Sequence, residues 1–554
     1  MRLLFALICL FLSANTIGSE NKQAAIASAH PLATKAGFEI LEQGGNAFDA
    51  AIAVSAALAV VEPSGSGLGG GGFWLLHRAS DGFQTMIDGR EVAPSAAHKD
   101  MYLNQKGEFD KRLSLDGALA AAIPGVPAAL DHLNKKYGRL TLKQTLAPAI
   151  RYAKQGFEVT EHFQRLVNFR RDALSESADS RAIFLSSLTN NQVPPLGTLI
   201  IQTQLAETLE HIALQGRDGF YRGEIAKKLV ESVQQAGGIW TLKDLQNYQI
   251  NERTPIRTTY KGYKITSAAL PSSGGIVLTS MLNQLERLPL SASDPIQRKH
   301  LIVETMRRAY FDRSQYLGDS DFIQVPTQQL TSKSYAKKLA SNIDINHASN
   351  NKIQPANDSA KGEDTTHFSI IDKQGNRVAA TLSINYPFGS GFVAKGTGVL
   401  LNDEMDDFSA QAGSENVYGL IGNEANAIAA NKRPLSSMTP TFIENDNHLM
   451  IIGTPGGSRI ITMVLLGILD FIDGHNAEEI VLQPRFHHQF SPNKIQFESA
   501  GFSSEELDNI KQYGHEIELL NRQYGNMQVI IQTAMPHHLT AASDPRGEGL
   551  SLVQ

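Results

Sequence analysis

The chain has 554 residues, 42% of them hydrophobic, and its 50 basic and 56 acidic residues leave a formal net charge of −6. Such a length can bury a large core, and nothing in such a mild charge asks for a nucleic-acid partner. The one cysteine, Cys9, lies at the far N-terminus, so a mature protein released after it has no disulfide, no thiol nucleophile and no cysteine metal ligand.

A single early charge, Arg2, precedes an apolar run from Leu3 to Leu12 that ends in small and polar residues. The run is too short to span a bilayer and reads as an export signal, residues 1–20, cut between Ala14 and Glu20; an N-terminal anchor is the competing reading. Ala24 to Val61 is predicted to be helical and rich in small residues, interrupted at Gly44-Gly45-Asn46 and ended by Glu62-Pro63. The glycine cluster from Gly65 to Gly72 calls for positive φ or for backbone pressed directly against a neighbour, and it lacks the Gly-Lys-Ser/Thr of a phosphate loop. Phe73–Leu76 and Phe83–Ile87 read as a hairpin turning through Ser80-Asp81-Gly82. Leu113 to about Ala340 is mostly helical in pattern, and a polar stretch from Asn342 to Asp364 reads as an exposed connector.

From Thr365 the pattern changes to strands at Thr366–Ile371, Arg377–Ile384, Thr439–Ile443 and Leu449–Ile452. Helices are predicted at Ser458–Asp473, Asn476–Leu482 and Ser503–Gln512, and strands return at Ile517–Leu519 and Met527–Gln532. Strands with helical pattern on both sides in sequence predict an α+β protein with sheets sandwiched between helical layers.

Asp364-Thr365-Thr366-His367 stands where the polar connector meets a strand. If the chain is cut before Thr365, one residue carries a hydroxyl and an α-amine of ordinary pKa roughly 7.7–8.0, a nucleophile with its own base. His367 shares a strand face with Thr365 and need not touch its hydroxyl. Thr381, Ser383 and Asn385 fall on one face of the next strand. The loop from Asn402 to Phe408 holds Asp403, Glu404, Asp406 and Asp407; its spacing is not that of a calcium loop, and the other reading is a site for an ammonium group. Arg90 can clamp a carboxylate. Together these groups suit the zwitterionic head of an amino acid. Ser436 and Ser437 add hydroxyls, and Gly456-Gly457 form a turn whose amides can face an oxyanion at a helix start.

Several long stretches carry a resemblance: Gly44 to Ala50, Gly67 to Phe73, Arg90 to Pro94, Thr365 to Ser369, Met405 to Phe408, Asn431 to Met438, Pro455 to Arg459, Pro484 to Gln489 and Ser543 to Arg546. In this order, from about residue 24 to 550, the chain resembles the gamma-glutamyltransferase family, also called gamma-glutamyltranspeptidase, of the bacterial exported type. The resemblance implies an N-terminal-nucleophile hydrolase fold, a four-layer αββα sandwich with two central, mainly antiparallel sheets. It also implies a precursor that cuts itself between Asp364 and Thr365 into a large subunit, 21–364, and a small catalytic subunit, 365–554, which remain a heterodimer.

By the same resemblance Thr365 is the nucleophile, and Ser383 stands where the family usually has a second threonine bonded to the new α-amine. Arg90, Ser436 and Ser437 hold the substrate α-carboxylate, and Asn385, Glu404 and Asp407 hold its α-amino group. Gly456 and Gly457 form the oxyanion hole, and Tyr418, in a lid loop from Gln411 to Asn423, closes over the glutamyl group. The implied substrates are glutathione and other γ-glutamyl amides, with water, an amino acid or a dipeptide as acceptor, in the periplasm or outside the cell. No metal or cofactor is required. The alternatives are an acylase of the same fold acting on glutaryl amides, and a periplasmic amino-acid or glutathione binding protein without chemistry.

Overall fold

The computed structural model describes residues 23–104, 106–186, 192–290, 294–349, 365–409, 415–534 and 537–554. The expected signal segment with Cys9, the cleavage residue Asp364, and residues 411–414 of the expected lid lie outside the described residues.

Two antiparallel sheets form the centre. The first has seven strands in the order Leu550–Val553, Ala25–Ser28, Thr366–Ile371, Arg377–Ser383, Gly71–Arg78, Phe83–Asp88 and Asn251–Arg253. The second has six: His537–Ser543, Gln528–Ala534, His448–Gly453, Thr441–Glu444, Tyr263–Ser267 and Ile256–Tyr260. Period-two alternation divides the first sheet's side chains between two cores. Trp74, Leu76, Val378 and Ala380 pack with the helices Pro31–Glu42 and Ala47–Val61, whereas Phe73, Leu75 and Ala379 meet Phe442, Ile451 and Ile530 of the second sheet. The second sheet's other face, with Ile443, Ile452 and Val529, packs on the helices Gly274–Leu285, Pro295–Tyr316 and Ile460–Ile472. The result is the expected αββα sandwich. Each fully buried aliphatic or aromatic side chain contributes roughly 1.5–3 kcal/mol, and these three cores provide stability that no disulfide supplies.

The segments before and after residue 365 interleave within both sheets. Ala25–Ser28 pairs on one side with Leu550–Val553 and on the other with Thr366–Ile371, and Tyr263–Ser267 pairs with Thr441–Glu444. A cut before Thr365 therefore breaks one peptide bond and no sheet.

The run from Gly44 to Ala50 serves as a helix start. The Asn46 side chain accepts from the Phe48 and Asp49 amides, and Asp49 returns the bond to the Asn46 N–H, a reciprocal cap on a helix buried all round. The glycine cluster takes the second of its two expected uses. None of Gly65 to Gly72 has positive φ; instead a Cβ on Gly69 would strike the Leu400 carbonyl oxygen and one on Gly70 that of Ser383.

Two stretches differ from the pattern. Residues 25–28, expected to begin a helix, form a strand, because pairing on both edges overrides the helical preference of Ala and Ile. The mostly helical middle contains the hairpin Ile256–Tyr260 and Tyr263–Ser267, whose turn residue Lys261 has φ of 45° and is followed by Gly262 at 84°.

Candidate active site

Thr365 immediately precedes the strand Thr366–Ile371 and is 6% exposed. Its φ is 153°, a region that β-branched residues rarely occupy and that costs on the order of 1–3 kcal/mol. The adjacent strand brings Ser383 to it, with the two hydroxyl oxygens 3.2 Å apart. Ser383 is itself fixed by the Asn385 N–H, which donates to it at 2.8 Å. Its contact is thus with the Thr365 hydroxyl, whereas the resemblance implied one with the new α-amine. His367 turns away from the site. Its ring nitrogens lie 2.8 Å from the Thr381 hydroxyl and 3.2 Å from that of Ser369, and burial lowers its pKa to about 3, so it stays neutral. Thr381 is occupied by that contact, so only two of the three polar residues expected to line one strand face reach the pocket.

Thr365 forms part of the wall between two spaces. On one side is a pocket of about 20 Å³ lined by Ser383, Asn385, Glu404, Asp407, Tyr418, Ser436, Ser437 and Gly457. On the other is a cleft of about 500 Å³.

The charges of the small pocket are paired with one another. Arg90, fully buried, donates to Glu404, to Asp407 at 2.5 Å and to Glu91 at 3.4 Å, and its Nε donates to the Pro434 carbonyl at 3.2 Å. The sequence led us to expect separate cationic and anionic poles; the fold makes them one cluster of a guanidinium and three carboxylates. Burial disfavours the Arg90 charge, but the three carboxylates outweigh it and raise its pKa. Burial also lifts Glu404 to about 7, against the pull of Arg90, and drives Glu91 well above the usual carboxylate range. Glu404 Oε2 is buried without a hydrogen-bond partner among the described residues.

The four carboxylates of the acidic loop divide. Glu404 and Asp407 turn to Arg90. Asp403 accepts from the Tyr386 N–H, and Asp406 from the Ser114 hydroxyl and the Val417 N–H, so these two hold the loop in place.

Tyr418 covers the pocket. Its hydroxyl donates to the Asn385 carbonyl at 2.6 Å, and its ring lies against Gly457, where any Cβ would collide with it. Asn416, two residues earlier, donates to Asp407 at 2.9 Å. Gly456 and Gly457 have φ of 134° and 56°, values that favour glycine, and they open a single helical turn that continues into Ile460–Ile472.

Sequence reasoning missed Glu91, Asn416 and Arg313. Arg313, buried on the helix Pro295–Tyr316, donates to the Ser437 hydroxyl at 3.2 Å and to that of Ser273 at 3.0 Å. With its oxygen accepting from Arg313, the Ser437 hydroxyl has its proton to give to a ligand. No local signal marks it, since it is one of four arginines on a helix rich in charged residues.

A threonine at the start of a central strand in an αββα sandwich, with a second hydroxyl beside it and a pocket at its side, is the arrangement of an N-terminal-nucleophile hydrolase. A model of the gamma-glutamyltranspeptidase family matches residues 33–553. The glutathione hydrolase proenzyme of Escherichia coli K12 is 43% identical over 537 residues, covering 95% of this chain and 90% of that protein. Among solved structures, a cephalosporin acylase from Bacillus halodurans matches with a TM-score of 0.85 at 26% identity over 96% of both chains. The gamma-glutamyltranspeptidase of Helicobacter pylori matches with a TM-score of 0.57 at 38% identity over 60% of this chain and 96% of that one. The chain belongs to the gamma-glutamyltranspeptidase family, and it is an enzyme of γ-glutamyl transfer and hydrolysis with a threonine nucleophile.

Proposed function

We propose that the precursor cuts itself between Asp364 and Thr365 and that Thr365 then transfers γ-glutamyl groups from glutathione and related amides to water, amino acids or dipeptides. The observation that carries this reading is the pocket beside Thr365, where Arg90 can take a carboxylate and the unpartnered oxygen of Glu404 can take an ammonium. The resting pairs make binding an exchange. The donor carboxylate replaces part of the anionic coordination of Arg90, with Ser436 and Ser437 assisting, while the donor ammonium takes over from Arg90 at Glu404 and Asp407, with Asn385 alongside. Charge is conserved across the exchange, so little desolvation is left uncompensated.

Catalysis then has two halves. The Thr365 hydroxyl attacks the γ-carbonyl carbon and its proton passes to the residue's own α-amine. The amides of Gly456 and Gly457 bind the oxyanion, the C–N bond breaks, and the departing amine takes the proton. In the second half water or an acceptor amine attacks the ester carbon, the bond to Oγ1 breaks, and the proton returns to that oxygen. Ser383 positions the hydroxyl, and Tyr418 excludes water until the acyl group is in place. The strained φ at Thr365 supports self-cleavage at this bond, since the cut releases the constraint.

The acylase alternative has the high structural likeness to a cephalosporin acylase in its favour. A glutaryl group, however, takes Arg90 and brings no cation in exchange, which leaves Glu404 and Asp407 buried and under-compensated. Export to the periplasm is proposed on the N-terminal pattern; among the described residues no helix is long and apolar enough to cross a membrane.

The test combines denaturing intact mass with an assay on two anilides. Wild type is expected as two chains, the smaller spanning 365–554, and Thr365→Ala as one. The enzyme should hydrolyse L-γ-glutamyl-p-nitroanilide at least about a hundredfold faster than glutaryl-p-nitroanilide. Equal rates would favour the acylase, and a single uncut, inactive wild-type chain would withdraw the nucleophile.

A further inference from the structure

We propose that Arg313 is a positioning residue for the donor α-carboxylate, holding Ser437 as a directed proton donor and placing a second positive charge behind it. The proposal rests on the reading of the small pocket as the γ-glutamyl site and names what stands behind its serines.

Arg313 is buried, and its guanidinium donates to two hydroxyls, Ser273 at 3.0 Å and Ser437 at 3.2 Å, while forming no ion pair among the described residues. An arginine removed from water is ordinarily paired, because hydroxyl dipoles replace only part of the lost hydration. Arg90, Arg307 and Arg485, also buried, each hold at least one carboxylate. Burial depresses the pKa of Arg313, against pulls from Tyr310 and from Asp407 in the pocket wall. A guanidinium stays charged all the same.

Arg313 is not itself in the wall of the small pocket; its hydrogen bonds reach there through serines. The bond from its Nε to Ser273 is continued by the Ser273 hydroxyl, which donates to the Ser436 carbonyl at 2.7 Å. Its second bond ends on the Ser437 hydroxyl oxygen. The Ser436 hydroxyl oxygen accepts from the Met438 N–H at 3.1 Å. Both pocket serines thus have an acceptor position filled and a proton left to point at a ligand. One turn before Arg313 the Tyr310 hydroxyl donates to the Ser458 carbonyl, which fixes the same helix to the turn that begins at Gly457.

Within the pocket Arg90 faces Glu404 and Asp407, which cancel much of the field it offers a carboxylate. Arg313 has no such partner at hydrogen-bond distance. A donor carboxylate bonded to Ser436 and Ser437 therefore meets a second guanidinium one hydroxyl away, where the low dielectric of a buried site preserves the attraction. The gain is confined to ligands that carry that carboxylate. A 4-aminobutyryl amide keeps the carbonyl and the ammonium of the donor, has hydrogen in place of the α-carboxylate, and gains nothing from Arg313.

The experiment uses the processed two-chain enzyme and compares hydrolysis of L-γ-glutamyl-p-nitroanilide with that of 4-aminobutyryl-p-nitroanilide. Arg313→Gln is expected to lower kcat/KM about thirtyfold for the γ-glutamyl donor, mainly through KM, and by less than about twofold for the aminobutyryl donor. Arg313→Lys, which keeps the charge and loses the planar fork, should lose about fivefold on the first donor only. In a Ser437→Ala background the Arg313→Gln change should cost less than about fivefold, because the hydroxyl it acts through is gone. Equal losses on both donors would make Arg313 a purely structural residue, and an undiminished loss in the Ser437→Ala background would separate it from Ser437; either result overturns the proposal. If Arg313→Gln stays uncut, Arg313→Lys carries the test, and an unchanged ratio of the two donors in it is equally decisive against the proposal. A wild type that does not favour the γ-glutamyl donor withdraws the carboxylate reading of the pocket and the proposal with it, whereas a preference that Arg313→Gln leaves intact overturns the role of Arg313 alone.

Discussion

The two sides of Thr365 recognise their ligands by opposite physical means. The small pocket is lined by buried charges grouped around Arg90, whereas the cleft is far larger and its wall includes exposed side chains such as Arg165 and Phe169. In a low-dielectric site a misplaced charge is expensive, so the pocket discriminates sharply between ligands. Charges in solvent are screened, and the cleft should accept many partners with small preferences. One substrate half is fixed and the other is exchangeable, which is what a group-transfer enzyme needs.

The largest effects belong to the nucleophile and the sealed pocket. Thr365→Ala is expected to abolish self-cleavage and to lower turnover by about 10⁴-fold or more, seen as a single chain by intact mass and as lost anilide hydrolysis. Arg90→Ala leaves Glu91, Glu404 and Asp407 buried without their cation, at a cost of roughly 3–5 kcal/mol, on top of the lost carboxylate clamp. Thermal unfolding should show a lowered Tm. The deficit should shrink as pH falls from 8 to 6, because unpaired carboxyls become protonated and neutral; a deficit that grows on acidification would contradict the pairing.

A smaller effect separates the two poles of the pocket. Glu404 titrates near 7, and its protonated form has no charge for the donor ammonium, so the donor KM should rise as pH drops below about 7. Glu404→Gln should flatten that limb while raising KM at pH 8. An unchanged limb in the variant would assign the titration to another group. Ser383→Ala should slow acylation about tenfold, and Ser383→Thr, which keeps the hydroxyl, should stay within about threefold of wild type; equal losses in both would remove Ser383 from the positioning of Thr365.

The smallest effects lie in the cleft. Only the neutral amine of an acceptor attacks, so the ratio of transfer to hydrolysis should rise with pH toward the acceptor's amine pKa. A product ratio flat from about pH 7 to 9.5 would count against amine attack as the second half-reaction.

Much of the fold was legible because its signals are local. Phe73 to Leu76 form a short apolar run from which a strand follows, and the structure then buries Trp74 and Leu76 in one core and Phe73 and Leu75 in the other. The strand after Thr365 and the helix Ile460–Ile472 were visible in the same way. The strand Ala25–Ser28 was not, since four small apolar residues have no period to read and become a strand only between Leu550–Val553 and Thr366–Ile371. Arg313, one of four arginines on the helix Pro295–Tyr316, gave no hint that Ser437 lies against it, more than a hundred residues away.

By itself the sequence determined the chemical inventory: a threonine at a strand start, a second hydroxyl on the following strand, an arginine, an acidic loop and a glycine turn, all in the order of a known family. Only the tertiary structure decided the pairings. Arg90, Glu404 and Asp407 read as separate poles along the chain and fold into one neutralising cluster, and His367, two residues from the nucleophile, turns to Thr381 instead. Residue type and local period fix what a side chain can do. Which partner it meets depends on long-range packing that excludes water, and the strength of every charge in this site depends on that exclusion.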